Sequence, residues 1–238
     1  MVTKNQIKLV VSLKQKKYRS QHGLFVVEGQ KTVDELLKWG LKAHTLFIDG
    51  SQNPTDFETA EIVSKAEMKQ MSSLTNPNGV LGVFYMPETK KIDDSDWILA
   101  LDAVRDPGNL GTIIRLCDWF GIKNLVCSED TVDCYNPKVL QATMGSIARV
   151  NIAYLKLEAY LKNSKLPVFG AFMDGVSVYA KELTTSGILV MGNEANGISP
   201  AVAEYINERI AIPQFGEPTA ESLNVATATA ILLNEIRR

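Results

Sequence analysis

The sequence predicts an α/β protein in two parts: a small α/β unit over residues 1–88, a linker over 89–96, and a larger α/β domain with a mainly parallel sheet over 97–238. Three observations carry this expectation. From Trp97 onward, apolar runs alternate with segments of helical period, the pattern of strands joined by crossover helices. Pro87–Asp96, PETKKIDDSD, is polar, opens with proline and mixes both signs of charge, so it reads as a connection. A chain of 238 residues, 45% of them hydrophobic, has enough apolar material for a core in each part.

The first part reads in order as a helix near Lys4–Lys17, a strand at Leu24–Glu28, a helix near Thr32–Trp39, a strand at Thr45–Ile48, a further helix and a strand at Gly79–Tyr85. The second opens with the strand WILALDAV, which leads into a helix over Asn109–Phe120. NLVCS is followed by a helix over Asn136–Arg149; PVFGAFM, GILVMG and RIAIP supply further strands, and Ser222–Arg238 closes the chain as a helix. No fixed-period repeat or low-complexity tract interrupts this order.

Composition removes several kinds of chemistry. The two histidines, His22 and His44, both lie near the start, so the remainder holds neither a Ser-His-Asp triad nor a His-rich metal centre, and no metal is expected. Cys117, Cys127 and Cys134 are odd in number and lack CxxC spacing, which suits reduced thiols. No apolar run approaches the roughly 20 residues of a membrane span and no signal peptide opens the chain, so a soluble cytoplasmic protein is expected. The net charge of −2 hides a basic beginning: from Lys4 to Lys31, seven basic residues stand against the single acid Glu28. Such a cluster is either a footprint for phosphates or a solvated helix face.

Three segments carry candidate chemistry. DPGNLGTIIR, Asp106–Arg115, lies where a strand turns into a helix. There Arg115 points away from the apolar side, Gly111 one turn back leaves space before the guanidinium, and Asn109 is a candidate cap. MGNEANGIS, Met191–Ser199, puts two glycines around a tight turn at the carboxyl end of a strand, where open α/β sheets bind ligands. It matches neither GxGxxG nor the phosphate-binding P-loop. In IPQFGEPTAESLNVATATAILLNEI, a loop with Gly216 and Pro218 precedes Ser222, a candidate helix cap, and Asn224, whose amide needs a partner in backbone or ligand if buried.

Taken together, Asn109, Gly111 and Arg115, then Gly192, Glu194 and Gly197, then Ser222-Leu223-Asn224-Val225 resemble the three ordered motifs of SpoU/TrmH RNA 2′-O-ribose methyltransferases. ATMGSIARV, Ala142–Val150, is similar to a segment these enzymes carry between the first two motifs, and LKQKKYRSQHGLFVVEGQKTVDELL looks like their ribosomal-protein-like substrate-binding domain. The resemblance implies a carboxyl-terminal trefoil knot, a fold that chain-threading statistics alone would reject. It also implies a homodimer with active sites completed across the subunit interface, and S-adenosyl-L-methionine bent into a pocket of the knotted loops. By that resemblance the cofactor residues are Met191, Gly192, Asn193, Glu194, Gly197, Ile212, Gln214, Gly216, Ser222, Leu223 and Asn224. The catalytic set is Arg115, Asn109, Glu194, Ser222 and Asn224, while Lys14, Lys16, Lys17 and Arg19 grip RNA phosphates. Gln214 and Ala226 depart from the methionine and serine that the family often carries, which implies altered pocket contacts.

On this reading Arg115 engages the ribose hydroxyl and an adjacent RNA phosphate that assists proton removal, because arginine itself ordinarily keeps its proton. Asn109 and Ser222 orient Arg115 and the nucleotide. Ribosomal RNA is the favoured substrate and transfer RNA the alternative. A noncatalytic RNA-binding or ribosome assembly protein on the same scaffold is the rival from another class. A nicotinamide-dependent oxidoreductase, suggested by the α/β alternation, lacks the required glycine fingerprint.

Overall fold

Thr3 and Gln6 open the first helix by capping each other: Gln6 N donates to Thr3 Oγ1 at 3.2 Å and Thr3 N to Gln6 Oε1 at 2.8 Å. The computed structural model in which this box is seen describes residues 2–50, 59–216 and 222–238. The chain forms two compact units, Met1–Glu88 with Asp133–Ala148, and Thr89–Val132 with Arg149–Arg238.

In the first unit the stretch expected as one helix near Lys4–Lys17 is two, α1 (Lys4–Ser12) and α2 (Lys16–His22). The break has a physical cause in Arg19, whose Nη1 donates to the carbonyls of Leu13 and Lys14, both at 2.9 Å, so the backbone acceptors freed at the corner are satisfied. Gly23, left-handed at φ 63°, ends α2 and turns the chain into β1 (Leu24–Glu28). There follow α3 (Gln30–Lys38), β2 (Ala43–Asp49), β3 (Glu61–Val63), α4 (Lys65–Met71) and β4 (Val80–Tyr85). The sheet order is β1-β4-β2-β3, with β4 antiparallel to β1 and β2 and β3 parallel to β2. Val10, Leu13, Leu24, Phe47, Met68 and Leu81 belong to one buried cluster of this unit. The inserted helix Pro137–Thr143, α6 in chain order, packs on β1, with the Tyr135 ring 4.7 Å from that of Phe25.

The helix expected over Asn136–Arg149 is therefore shorter. It stops because Met144 (φ 51°) and Gly145 (φ 93°) are both left-handed. A Cβ on Gly145 would come within 2.8 Å of Glu35 Cβ, so the chain turns close against α3 only with glycine there.

The second unit carries β5 (Ile98–Leu101), α5 (Pro107–Trp119), β6 (Asn124–Ser128), β7 (Asn151–Leu155), α7 (Leu157–Asn163), β8 (Val168–Ser177), β9 (Ile188–Met191), α8 (Pro200–Ala203), β10 (Glu208–Ala211) and α9 (Val225–Ile236). Among the described residues its six strands pair in the order β10-β8-β9-β5-β6-β7, every pair parallel, as the alternating pattern predicts. Ile98, Ala100, Val126, Ile188 and Val190 pack into its core, and α5 runs against α9. β7 and α7 were not expected from the sequence.

The residues read as a linker are part of this unit. Arg237 donates to both carboxylate oxygens of Asp96, at 2.8 and 2.9 Å, and to the carbonyls of Phe120 and Gly121. Asn124 Nδ2 holds the Asp93 carbonyl at 3.2 Å, and Asn151 Oδ1 accepts Lys90 N at 3.0 Å. All three cysteines are buried and outside any disulfide, and among the described residues no helix is long and apolar enough to cross a membrane.

Candidate active site

Parallel strands present their carboxyl ends together, and the loops after β5 and β9 meet there. After β5 the chain bends at Ala103, left-handed at φ 56°, an uncommon state for a residue with a Cβ. Two side chains hold the bend: Ser128 Oγ accepts Ala103 N at 2.8 Å, and Asn193 Nδ2 donates to the Ala103 carbonyl at 2.6 Å. Asp106 then caps α5, accepting Asn109 N at 2.8 Å, with Pro107 in the first turn. The cap is thus Asp106, not Asn109, and the Asn109 amide is left for a longer-range role.

The loop after β9 closes on itself through Asn193 and Gly197, whose backbones exchange hydrogen bonds of 2.9 Å in both directions. Asn193 Oδ1 also accepts the Ala195 and Asn196 amides, at 2.9 and 3.1 Å. A Cβ at position 192 would lie 2.2 Å from the Gly197 carbonyl carbon, so only glycine lets the two limbs of the loop approach. Asp102, which the sequence reading did not single out, fastens the far side of the loop: its Oδ2 accepts Ser199 N at 2.7 Å. An acid directly after an apolar strand run was the available signal.

Glu194 joins these loops. Its carboxylate accepts Asn109 Nδ2 at 3.0 Å, Asp106 N at 3.3 Å and Arg105 N at 3.4 Å. Asn109 Oδ1 in turn accepts Asn224 Nδ2 at 2.9 Å, and Asn224 Oδ1 caps α9 by accepting Ala226 N at 2.9 Å and Thr227 N at 3.2 Å. The direction of every bond is fixed by its ends. Backbone amides at α9 can only donate and a carboxylate accepts, so both asparagines have one consistent orientation. Asn224, not Ser222, is the cap of the last helix.

Segments more than eighty residues apart are thereby tied together by three side chains, Glu194, Asn109 and Asn224. Met191 stands at the end of β9, where its carbonyl accepts Asp102 N at 2.9 Å. Ile212, Gln214 and Gly216 follow β10, Gln214 having a partner of its own. Ser222 and Leu223 are exposed just before α9, and Pro218 lies outside the described residues.

Arg115 does not join the network of its own chain. Six residues beyond Asn109 on a straight helix, it is turned by about 120° and displaced by about 9 Å. It is exposed and makes no hydrogen bond or ion pair among the described residues. Gly111 is buried, so the open space expected before the guanidinium is not made by that glycine. Trp119, one turn beyond Arg115 on the same face, is 84% exposed.

In the first unit, Lys16 and Lys17 are exposed, and Lys14 Nζ donates to the Ser72 carbonyl at 2.7 Å. Arg19 corrects the sequence expectation. It is 2% exposed, pairs with Asp133 and gives two further donors to the helix break, so its charge is committed inside the protein and does not reach an RNA phosphate.

Residues 96–234 match the SpoU rRNA Methylase family. The chain belongs to that family. Residues 4–82 match an MRM3-like substrate binding domain. Among relatives of this SpoU-family chain, the Bacillus subtilis 23S rRNA (guanosine(2553)-2′-O)-methyltransferase RlmP is 34% identical over 243 residues, 98% of this chain and 97% of the relative. A TrmH-family protein from Porphyromonas gingivalis superposes with TM-score 0.89 at 40% identity, covering 100% of this chain and 98% of its own. The AdoMet-bound rRNA methyltransferase from Sinorhizobium meliloti gives TM-score 0.87 at 30% identity, covering 100% and 95%.

Proposed function

We propose that this protein is an S-adenosylmethionine-dependent methyltransferase that modifies a ribose 2′-hydroxyl of ribosomal RNA, working in the cytoplasm as a homodimer with a knotted catalytic half. The observation that carries the reading is the Glu194–Asn109–Asn224 relay, which gathers three loops at the carboxyl edge of the parallel sheet. The names of the Bacillus and Sinorhizobium relatives support ribosomal RNA as substrate and S-adenosylmethionine as donor.

The residues present fit that donor. Gly192 leaves bare backbone where any side chain would collide, and Asn193–Gly197, Ile212–Gly216 and Ser222–Asn224 together hold no lysine or arginine to repel a sulfonium. When bound, the sulfonium supplies an electrophilic methyl group. Asn193, Glu194, Asn109 and Asn224 fix the loops that hold it, and Ser222, exposed two residues before Asn224, supplies a hydroxyl for orienting the nucleotide.

Arg115 completes the site of the partner protomer. Its exposure, its separation from Asn109 around α5 and the bare Trp119 ring beside it support a face used between subunits. There its fork would span the target hydroxyl and a neighbouring phosphate, and a phosphate oxygen would take the hydroxyl proton as the methyl passes to the ribose oxygen, the broken sulfur–methyl bond leaving S-adenosylhomocysteine as a neutral thioether. Ribosomal RNA from cells lacking the gene, incubated with tritiated S-adenosylmethionine, tests the reaction, and mapping of 2′-O-methyl sites locates it. Arg115→Lys keeps the charge but loses the fork; it is expected to lower kcat on the order of 100-fold with cofactor affinity unchanged. A wild-type rate in that variant removes Arg115 from the mechanism.

A further inference from the structure

The first unit contains a cavity of about 350 Å³ that the relay in the second unit does not use. Its walls come from β1, the start of α3, the end of α4 and the inserted helix α6. The floor is apolar, with Val26, Met71, Leu74 and Leu140, and the rim carries Lys14, Lys31 and Lys138 beside the carboxylate of Glu28. That carboxylate is occupied by the Ser72 hydroxyl and by Ser73 N at 2.6 Å. Lys14 gives one of its three donors to the Ser72 carbonyl and keeps two.

Two further features face the same way. α3 follows Gly29, φ 94°, with no side-chain cap and no acid in its first turn, so its leading amides add positive potential beside the lysines. Met144, 46% exposed in a left-handed turn held by Gly145 against α3, offers an unbranched, polarizable side chain at the mouth. An apolar floor under a cationic rim matches a flat base attached to a phosphate, the way proteins take up unstacked nucleotides of single-stranded RNA.

We infer that this cavity binds one unstacked RNA nucleotide, the base over Leu140 and Met144 and its phosphate between Lys31 and Lys138. The inference rests on the proposed action on RNA and adds a location to it. It also gives α6 a role: the substrate-binding match ends at residue 82, yet Lys138, Gln141 and Met144 come from beyond it.

The test uses the full chain and a random-sequence 20-nucleotide single-stranded RNA carrying 4-thiouridine. Wild-type protein is expected to bind with affinity falling steeply in salt and to cross-link within residues 26–32 or 137–144. The double variant Lys31→Gln/Lys138→Gln should lower the slope of log K against log salt by about 0.7, the contribution of one phosphate contact on a single strand. Gln141→Trp, an exposed helix position at the rim, should abolish those cross-links by filling the mouth. S-adenosylmethionine affinity is measured in each variant as a check on folding; should the tryptophan variant fail it, the lysine pair carries the test. If wild-type protein binds RNA with steep salt dependence while the lysine variant keeps the full slope and cross-links map elsewhere, the cavity assignment is overturned and the RNA reading stands. If wild-type protein shows no salt-dependent RNA binding, both fall.

Discussion

Replacing Asn224 by alanine removes both ends of one amide. On the oxygen side, Ala226 N and Thr227 N lose the acceptor that caps α9, a loss worth about 1 kcal/mol. On the nitrogen side, Asn109 Oδ1 loses its donor at 2.9 Å, and a hydrogen bond of this kind contributes about 1 kcal/mol net. The sum, about 2 kcal/mol, corresponds to a fall in Tm of about 4–8 °C for a chain of this size. Asn224→Asp separates the two effects. Aspartate keeps the cap and adds a favourable charge at the helix start, but it cannot donate to Asn109 and sets a carboxylate near that of Glu194. Thermal melting followed by circular dichroism, with isothermal titration of S-adenosylmethionine, gives the readout. Expected are a lower Tm for Asn224→Ala, a Tm near wild type for Asn224→Asp, and weakened cofactor binding in both. An unchanged Tm in the alanine variant, or full cofactor affinity in the aspartate variant, would refute the view that this amide ties α9 to the loops.

Arg19→Met leaves the Asp133 carboxylate, itself 15% exposed, without its partner; urea denaturation is expected to show a loss of about 3 kcal/mol, and an unchanged midpoint would return Arg19 to the surface. The Arg237 guanidinium holds the Asp96 carboxyl below its usual range. Because the folded value is the depressed one, the stabilisation is complete above the unfolded carboxylate pKa and is lost as pH falls through the folded value. Melting from pH 7 down to pH 2 should thus show an acid-labile contribution that Arg237→Gln reduces, and identical acid dependence in the two proteins contradicts it. Burial pushes the Cys117 thiol up; a thiol-reactive dye should leave it unlabelled until denaturant is added, and rapid native labelling would show that α5 opens.

Much of the second unit was legible because its strands are short, fully apolar runs punctuated by glycine or a charged cap, as in WILALD and GILVMG. β7 escaped because it is an edge strand with only Ala153 buried, and α7 because seven residues are too few to display a period. The breaks inside Lys4–Lys17 and Asn136–Arg149 were hidden for another reason: each depends on a group outside the stretch itself, the Arg19 guanidinium just beyond the first and Glu35 packed against Gly145 in the second. The candidate site shows the same division. Its residue types and spacing were visible in Asn109, Glu194 and Asn224, whereas the exchange of roles between possible caps, Asp106 for Asn109 and Asn224 for Ser222, follows from local geometry that composition does not encode. Arg19 misled because a basic residue inside a basic run gives no sign that its counter-ion lies at Asp133, 114 positions away.

The excursion of Asp133–Ala148 into the first unit means that the polypeptide passes between units at three points, after Glu88, after Val132 and after Ala148. The halves are therefore not beads on a string. A gene cut after Glu88 would make a fragment without the Tyr135 ring over Phe25 and without the counter-ion for Arg19, while the complementary fragment would carry Leu140 and Val139 on a helix with nothing to cover them. Chimeras between relatives joined at that boundary would marry the β1 of one parent to the α6 of the other. Successful exchange of RNA preference by recombination should accordingly require the central sixteen-residue insert to travel with the amino-terminal segment.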